Sequence, residues 1–437
     1  MSPAGVVTGL CAVAVLLAGA PASPTTAPTP PPPDRAALAA LDPAPDAVPG
    51  ARPVASCPAA TPPAGTGFGD VPPGPDPADA WSSGRGEGTL VAVVDTGVAA
   101  HPRLAGGVVD GGDFVAGASG LDDCDGHGTA VAGVLAAAPA PGDLLEGVAP
   151  GARVLAVRQT SAFLGVDGRR GVGDVTTLAR AVRHAADTPG VGVLTLALAA
   201  CRTPEQVADP AAAPALGALR AAVRDAVDRG VVVVAAAGNS GPGCPANAGG
   251  PVRSVPVPAW FGDDVLVVGA VDDAGAPDPS SLAGPWVDVA APGRAPSSLA
   301  ARGDGLTTTL TGSDGAAAPL VGTSFAAARV AGAAALLRAR SPETPAREVA
   351  AALVRSSAPT PGLAPGTRDD AVGYGVLDAA AAVRGGPPRT GPEVRPDPAV
   401  AAAPPSGPSA GTIALGAGLA VLAAGAVLAL LRRRGAR

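Results

Sequence analysis

Five short apolar runs constrain this chain more than any other feature: TLVAVVDTG (89–97), ARVLAVRQ (152–159), VGVLTLAL (191–198), GVVVVAAAGN (230–239) and DVLVVGAV (264–271). Each is bounded by glycine or polar residues and is too short for a core helix. A strand with one face in water alternates apolar and polar residues, whereas a continuous run is buried on both faces. Between the runs lie stretches of helical character, TAVAGVLAAA (129–138), DVTTLARAVRHAAD (174–187) and ALRAAVRDAVDRG (218–230). In the last, Leu219, Val223 and Val227 recur at a spacing of four. The expectation is an α/β domain over residues 85–384, with a mostly parallel central sheet and helices on both faces. Aromatic residues make up 2% of the chain, so the core is expected to be Ala, Val and Leu. In an open parallel sheet, reacting groups gather beyond the C-terminal ends of the strands. Asp95 closes the run LVAVVD, and Asn239 follows VVVVAAAG.

The two ends of the sequence point to a compartment. Residues 5–20, GVVTGLCAVAVLLAGA, lead into Ala20-Pro21-Ala22. This reads as a signal peptide over residues 1–22, although its first residues lack Arg and Lys. The rival is an uncleaved N-terminal anchor. Leu10 before Cys11 argues against a lipoprotein signal. Residues 411–431, GTIALGAGLAVLAAGAVLALL, are uncharged and long enough to cross a hydrocarbon core of about 30 Å as a helix. Arg432, Arg433, Arg434 and Arg437 follow, while PDPAVAAAPPSGPSA (396–410) carries no basic residue. The positive-inside rule then leaves a cytoplasmic tail at 432–437 and the bulk of the chain outside, as a single-pass protein of the cell membrane. Residues 23–84, with PTPPPP at 28–33, form a Pro-rich extension that buries too little apolar surface to fold alone. Residues 385–410 read as a Pro-rich linker. The net charge of −7, with no basic stripe, gives no support for nucleic-acid binding. The chain contains no Lys, as a GC-rich coding sequence favours.

Of three histidines, His101 precedes a proline in a loop and His184 lies on a helix with an expected solvated face. His127 is different: in DGHGTAVAG it stands between glycines at the start of an expected helix. Ser324, in GTSFAAARVAG (322–332), also opens a helix. Taken alone, that serine reads as a helix cap. Together with Asp95 and His127 it supplies nucleophile, base and orienting carboxylate, the set that acyl transfer by serine requires. A tetrahedral oxyanion also needs donors, and the Asn239 side chain and the Ser324 backbone N–H are candidates.

VVDTG (93–97), HGTAVAG (127–133), GVAPGARVLAVR (147–158), AAAGNSG (235–241) and GTSFAAARVAG (322–332) resemble the subtilisin-like serine proteases, in that family's order. The order, and the side-chain amide as oxyanion donor, are known from subtilisin itself. The resemblance covers residues 85–384. It implies that Asp95 orients, His127 acts as base, Ser324 attacks, and Asn239 with the Ser324 N–H forms the oxyanion hole. DTGVAAHPRL (95–104), AVRQ (156–159) and YGVLDAAAAV (374–383), with the Pro-rich extension and the C-terminal apolar segment, further resemble the mycosins. These are membrane-anchored proteases of actinobacterial type VII (ESX) secretion. That resemblance implies a protein or peptide substrate and a type VII secretion membrane complex as partner. Two departures stand out. Ala328 occupies the position where relatives carry proline, so the helix is expected to continue unbroken. Thr195 and Ala197 replace the Asn and Ser of a strand expected to flank the S1 pocket.

Cys57, Cys124, Cys201 and Cys244 remain after the signal peptide, and four cysteines allow three pairings. The mycosin resemblance implies Cys57–Cys124 and Cys201–Cys244. The first would clamp the extension beside His127, and the second would join two segments that follow neighbouring strands. The rival is a metal site, since Cys124-x-x-His127 has ligand-like spacing. No metal and no cofactor are expected, and no EF-hand-like acidic cluster is present. The expected function is a membrane-anchored extracytoplasmic serine endopeptidase. Its rivals are a structural subunit of a secretion machine that keeps the protease fold as a scaffold, and a Pro-rich wall protein without catalysis.

Overall fold

A computed structural model describes residues 27–62, 77–247, 250–360 and 363–386. Seven strands form one sheet in the order Val289–Pro292, Leu266–Val271, Val232–Ala236, Val191–Leu196, Leu90–Asp95, Arg153–Arg158, Val108–Asp113. Every neighbouring pair is parallel. Leu90–Asp95, Val232–Ala236 and Leu266–Val271 are buried along their whole length. This is the double-sided burial that the continuous apolar runs predict.

The helices His127–Ala136 and Thr323–Arg340 pack on one another and on the sheet, as do Val175–Asp187 and Ala213–Asp228. The two pairs share strands but do not pack together, which puts one pair on each face. The helix Thr323–Arg340 runs through the centre and is buried almost all round. Its small residues permit that: Ala326, Ala327, Ala331, Ala333, Ala334 and Ala335 are all fully buried. A charge also lies within it. Arg338, 6% exposed, donates to the carbonyls of Gly192, Pro342, Thr344 and Gly230, so the buried guanidinium is paired through its hydrogen bonds.

The N-terminal extension wraps this domain. Trp260 Nε1 donates to Pro28 O at 2.6 Å, and Arg220 Nη1 donates to Pro31 O at 2.7 Å. A proline-rich strand has free carbonyls, so donors from the domain can hold it without any sheet. Asp34 caps a short helix, Arg35–Ala39, whose Leu38 is buried against Ala213–Asp228. Arg52–Pro53 adds an antiparallel strand to Ser161–Val166. Thr308 N donates to Thr61 O at 3.0 Å. His184 departs from the sequence expectation: its face is half covered, with the Phe114 ring edge-on at 5.5 Å.

The expected signal peptide (1–22) and membrane helix (411–431) lie outside the described residues. Among the described residues, no helix is long and apolar enough to cross a membrane.

Candidate active site

Three elements deliver the site to one end of the sheet. Leu90–Asp95 ends on Asp95, which is fully buried. His127 is the first residue of its helix, and its Nδ1 lies 2.7 Å from Asp95 Oδ1. Thr96 N donates to the same oxygen at 2.8 Å. The residue after His127 has to be glycine: a Cβ on Gly128 would stand 2.0 Å from Gly97 O. That close approach brings the helix start down onto the strand end.

Burial pulls the His127 imidazole down, but the Asp95 carboxylate outweighs it by charge and hydrogen bond, with help from Asp123 and Asp125. The imidazole is thereby held above its usual range. The carboxylate on Nδ1 leaves Nε2 to face the reacting groups. The His127 side chain keeps 23% of its surface open to solvent.

Ser324 is the second residue of Thr323–Arg340 and is 5% exposed. The N-cap is Gly322, which has no side chain to offer, and the helix's first N–H, that of Thr323, goes to the Asn239 side chain instead. The capping role that the sequence allowed for Ser324 is therefore not what the fold uses. The Phe325 ring lies 5.9 Å from the His127 ring, which puts the start of this helix beside the imidazole. No hydrogen bond joins Ser324 Oγ to His127 here. Such contacts are often long before substrate arrives.

Asn239 follows Val232–Ala236, and its orientation is determined. Its Oδ1 accepts from Thr323 N at 3.0 Å and from Thr323 Oγ1 at 3.2 Å. A backbone N–H can meet only the oxygen of an amide, so Nδ2 is the atom left for a ligand. Thr323 was not singled out in the sequence. Its signal was its place between Gly322 and Ser324, which reads as helix-start chemistry. The positive ends of two helices converge on this spot, which favours developing negative charge.

Both disulfides are formed, Cys57–Cys124 and Cys201–Cys244, with Cα–Cα distances of 4.9 and 5.8 Å. The first ties the extension three residues before His127. It also removes the metal reading of Cys124-x-x-His127, because the thiolate that would bind is in an S–S bond. Ala328 is fully buried and the helix runs through it unbroken, as expected. Arg329 is half-buried and donates to Pro292 O and Arg294 O, with burial lowering its pKa to about 10. Thr195 and Ala197 are buried at the end of the strand Val191–Leu196. A cavity of about 740 Å³ opens at the opposite end of the strands, beside Val232 and Leu266, where two of them begin. It holds none of these groups.

Residues 86–375 match the profile of the Subtilase family. Mycosin-4 of Mycobacterium tuberculosis is 46% identical over 314 residues, spanning 69% of this chain and 66% of that protein. Mycosin-1 of the same organism is 42% identical over 401 residues, spanning 85% of each. A chain in the structure of an intact ESX-5 inner membrane complex superposes with a TM-score of 0.70 at 36% identity, covering 92% of this chain and 99% of that one.

Proposed function

The chain belongs to the subtilase family and is a subtilisin-like serine endopeptidase, and on that premise we propose that Ser324 is its nucleophile, His127 its general base and Asp95 the carboxylate that orients the base. Ser324 Oγ attacks the scissile carbonyl while His127 Nε2 takes the hydroxyl proton. Asp95 stabilises the imidazolium so formed. The oxyanion is received by Asn239 Nδ2 and the Ser324 backbone N–H. His127 then gives the proton to the leaving amine, and water releases the acyl group by the same route in reverse. The observation that carries this reading is the 2.7 Å bond between Asp95 Oδ1 and His127 Nδ1. It sits within reach of a helix that presents Ser324, with an Asn239 amide whose oxygen is already engaged.

The same proposal places the catalytic domain at residues 85–384, outside the cell membrane. Residues 411–431 anchor it, 385–410 space it from the bilayer, and 1–22 direct export. Its substrate is a protein or peptide, and its partner is a type VII secretion membrane complex. The likeness to a chain of the ESX-5 inner membrane complex supports that partner. It also favours a second role, as a structural subunit of the machine. Deleting the gene and substituting Ser324→Ala in the chromosomal copy separates the two roles. If both strains fail to process the same secreted protein, proteolysis is the contribution. If secretion stops on deletion but continues in Ser324→Ala, the scaffold role dominates. If neither strain shows a secretion or processing defect, the type VII assignment is wrong.

A further inference from the structure

Asp123 is buried, and its two oxygens collect four hydrogen bonds. Oδ1 accepts from Thr96 Oγ1 and Gly126 N, both at 2.8 Å. Oδ2 accepts from Thr129 N at 2.8 Å and Thr129 Oγ1 at 2.6 Å. Every donor belongs to one of two pieces of the site. Gly126 and Thr129 bracket His127 in the first turn of its helix. That helix has a glycine N-cap with no side chain to offer, so Asp123 satisfies its first N–H groups from upstream. Thr96 follows Asp95. Its N–H donates to Asp95 Oδ1, and its hydroxyl accepts from Gly128 N at 2.9 Å. Hydrogen bonds thus run from Asp95 through Thr96 to Asp123 and on to both sides of His127, closing on the imidazole itself.

We infer that Asp123 is a positioning residue for the Asp95–His127 pair, holding the imidazole against its carboxylate and adding a second buried negative charge that favours the imidazolium. The inference rests on the reading of His127 as general base. Burial holds the Asp123 carboxyl above its usual range, although the four donors pull it down. Two of the donors are backbone N–H groups, one on each oxygen, and they cannot turn away. That arrangement fits the ionised form. The other charges facing His127 are Asp95 from the strand and Asp125 from the same loop. Asp125 is occupied by Ser161 Oγ at 2.6 Å and Ala162 N at 2.7 Å. Arg158, on the adjoining strand, acts on Asp125 and is paired with Asp113 at 3.2 Å. Phe325, from the third element, is uncharged.

The test uses the full chain in detergent. Three histidines keep a ¹³C-labelled imidazole spectrum readable. In a Ser324→Ala background, Asp123→Asn is expected to lower the His127 pKa by about one unit, the size of effect a neighbouring charge exerts. With Ser324 intact, Asp123→Asn is expected to slow labelling by a fluorophosphonate probe about tenfold or more, since small misplacement of a reacting group has that cost. The acid limb of the labelling rate should move to lower pH. A purely structural role would slow labelling without moving that limb. Folded Asp123→Asn with an unchanged His127 pKa overturns the inference. If Asp123→Asn does not fold, Thr96→Val removes one donor and keeps the carboxylate. It should slow labelling about tenfold, with Thr96→Ser recovering most of the rate. Thr96→Val labelled as fast as the wild type overturns the inference. Absence of labelling in the wild type would instead refute the general-base reading, while the imidazole titration would still report on Asp123.

Discussion

Replacing Gly322 by alanine tests the oxyanion site through two independent effects. Gly322 has φ 151° and ψ 169°, a region open in practice to glycine alone. Forcing alanine there costs about 1–3 kcal/mol. For a domain of this size that lowers the melting temperature by roughly 2–6 °C. The new Cβ would also lie 2.9 Å from Asn239 Nδ2 and 3.4 Å from its Oδ1. The amide has to give way, yet Thr323 holds its oxygen from the other side. Nδ2 is therefore displaced from the place proposed for the oxyanion. Outright loss of this donor costs about 10²–10³ in subtilisin itself, which sets the ceiling. Displacement by a few tenths of an ångström to an ångström should cost about tenfold to a hundredfold. The assay is the second-order rate of fluorophosphonate labelling, beside thermal unfolding, with Asn239→Ala as reference. Gly322→Ala labelling at the wild-type rate, while Asn239→Ala is impaired, would refute the argument that Gly322 exists to clear the amide.

Three other outcomes are expected. Because the His127 pKa is raised, the neutral base is lost as pH falls through that raised value, so labelling should decline below a midpoint above about 6.5. Stability runs the other way: what the raised pKa contributes is fully present below about 6.5 and is lost as pH climbs through the folded value. A flat labelling profile from pH 5 to 9 would contradict the raised pKa on which both rest. Removing Cys57–Cys124 by double substitution to alanine opens a loop of 67 residues and should cost about 4 kcal/mol on the chain-entropy account, read by thermal unfolding. Burial, opposed by the Val267 N–H and Arg368, raises Asp288 to about 6. Its carboxylate then costs up to about 3 kcal/mol once pH exceeds that value, and nothing below about 4. Asp288→Asn should raise the melting temperature at pH 8 and leave it unchanged at pH 4, and equal shifts at both would contradict the assignment.

The parts of this account legible in the sequence are those fixed locally. Asp95 and Asn239 stand where an apolar run stops, and His127 and Ser324 where a helical stretch begins, so period and boundary alone bring them to one end of a parallel sheet. The disulfide pairing was not local: four cysteines left three choices, and the mycosin resemblance implied the pairing that the structure has. Other features needed the folded chain. Leu38 sits in a short Ala/Leu run, residues 36–41, inside a Pro-rich extension, and nothing near it announces the helix Ala213–Asp228 as its partner. The hold on Pro28 and Pro31 is made by backbone carbonyls, which every residue carries. Arg338 reads as a solvated charge on a helix and is instead buried among carbonyls from three separate segments. Thr323 and Asp123 matter through what they touch across the site, and residue type alone does not express that.

If Ser324 is the activated nucleophile proposed above, it reacts selectively with an electrophilic probe. The direct measurement is labelling of the full chain with a fluorophosphonate probe, beside Ser324→Ala and His127→Ala, with the modified residue located by mass spectrometry. The account predicts a single adduct on Ser324 in the wild type and none at that position in either variant. An adduct at another serine, or equal labelling of the wild type and His127→Ala, would contradict it.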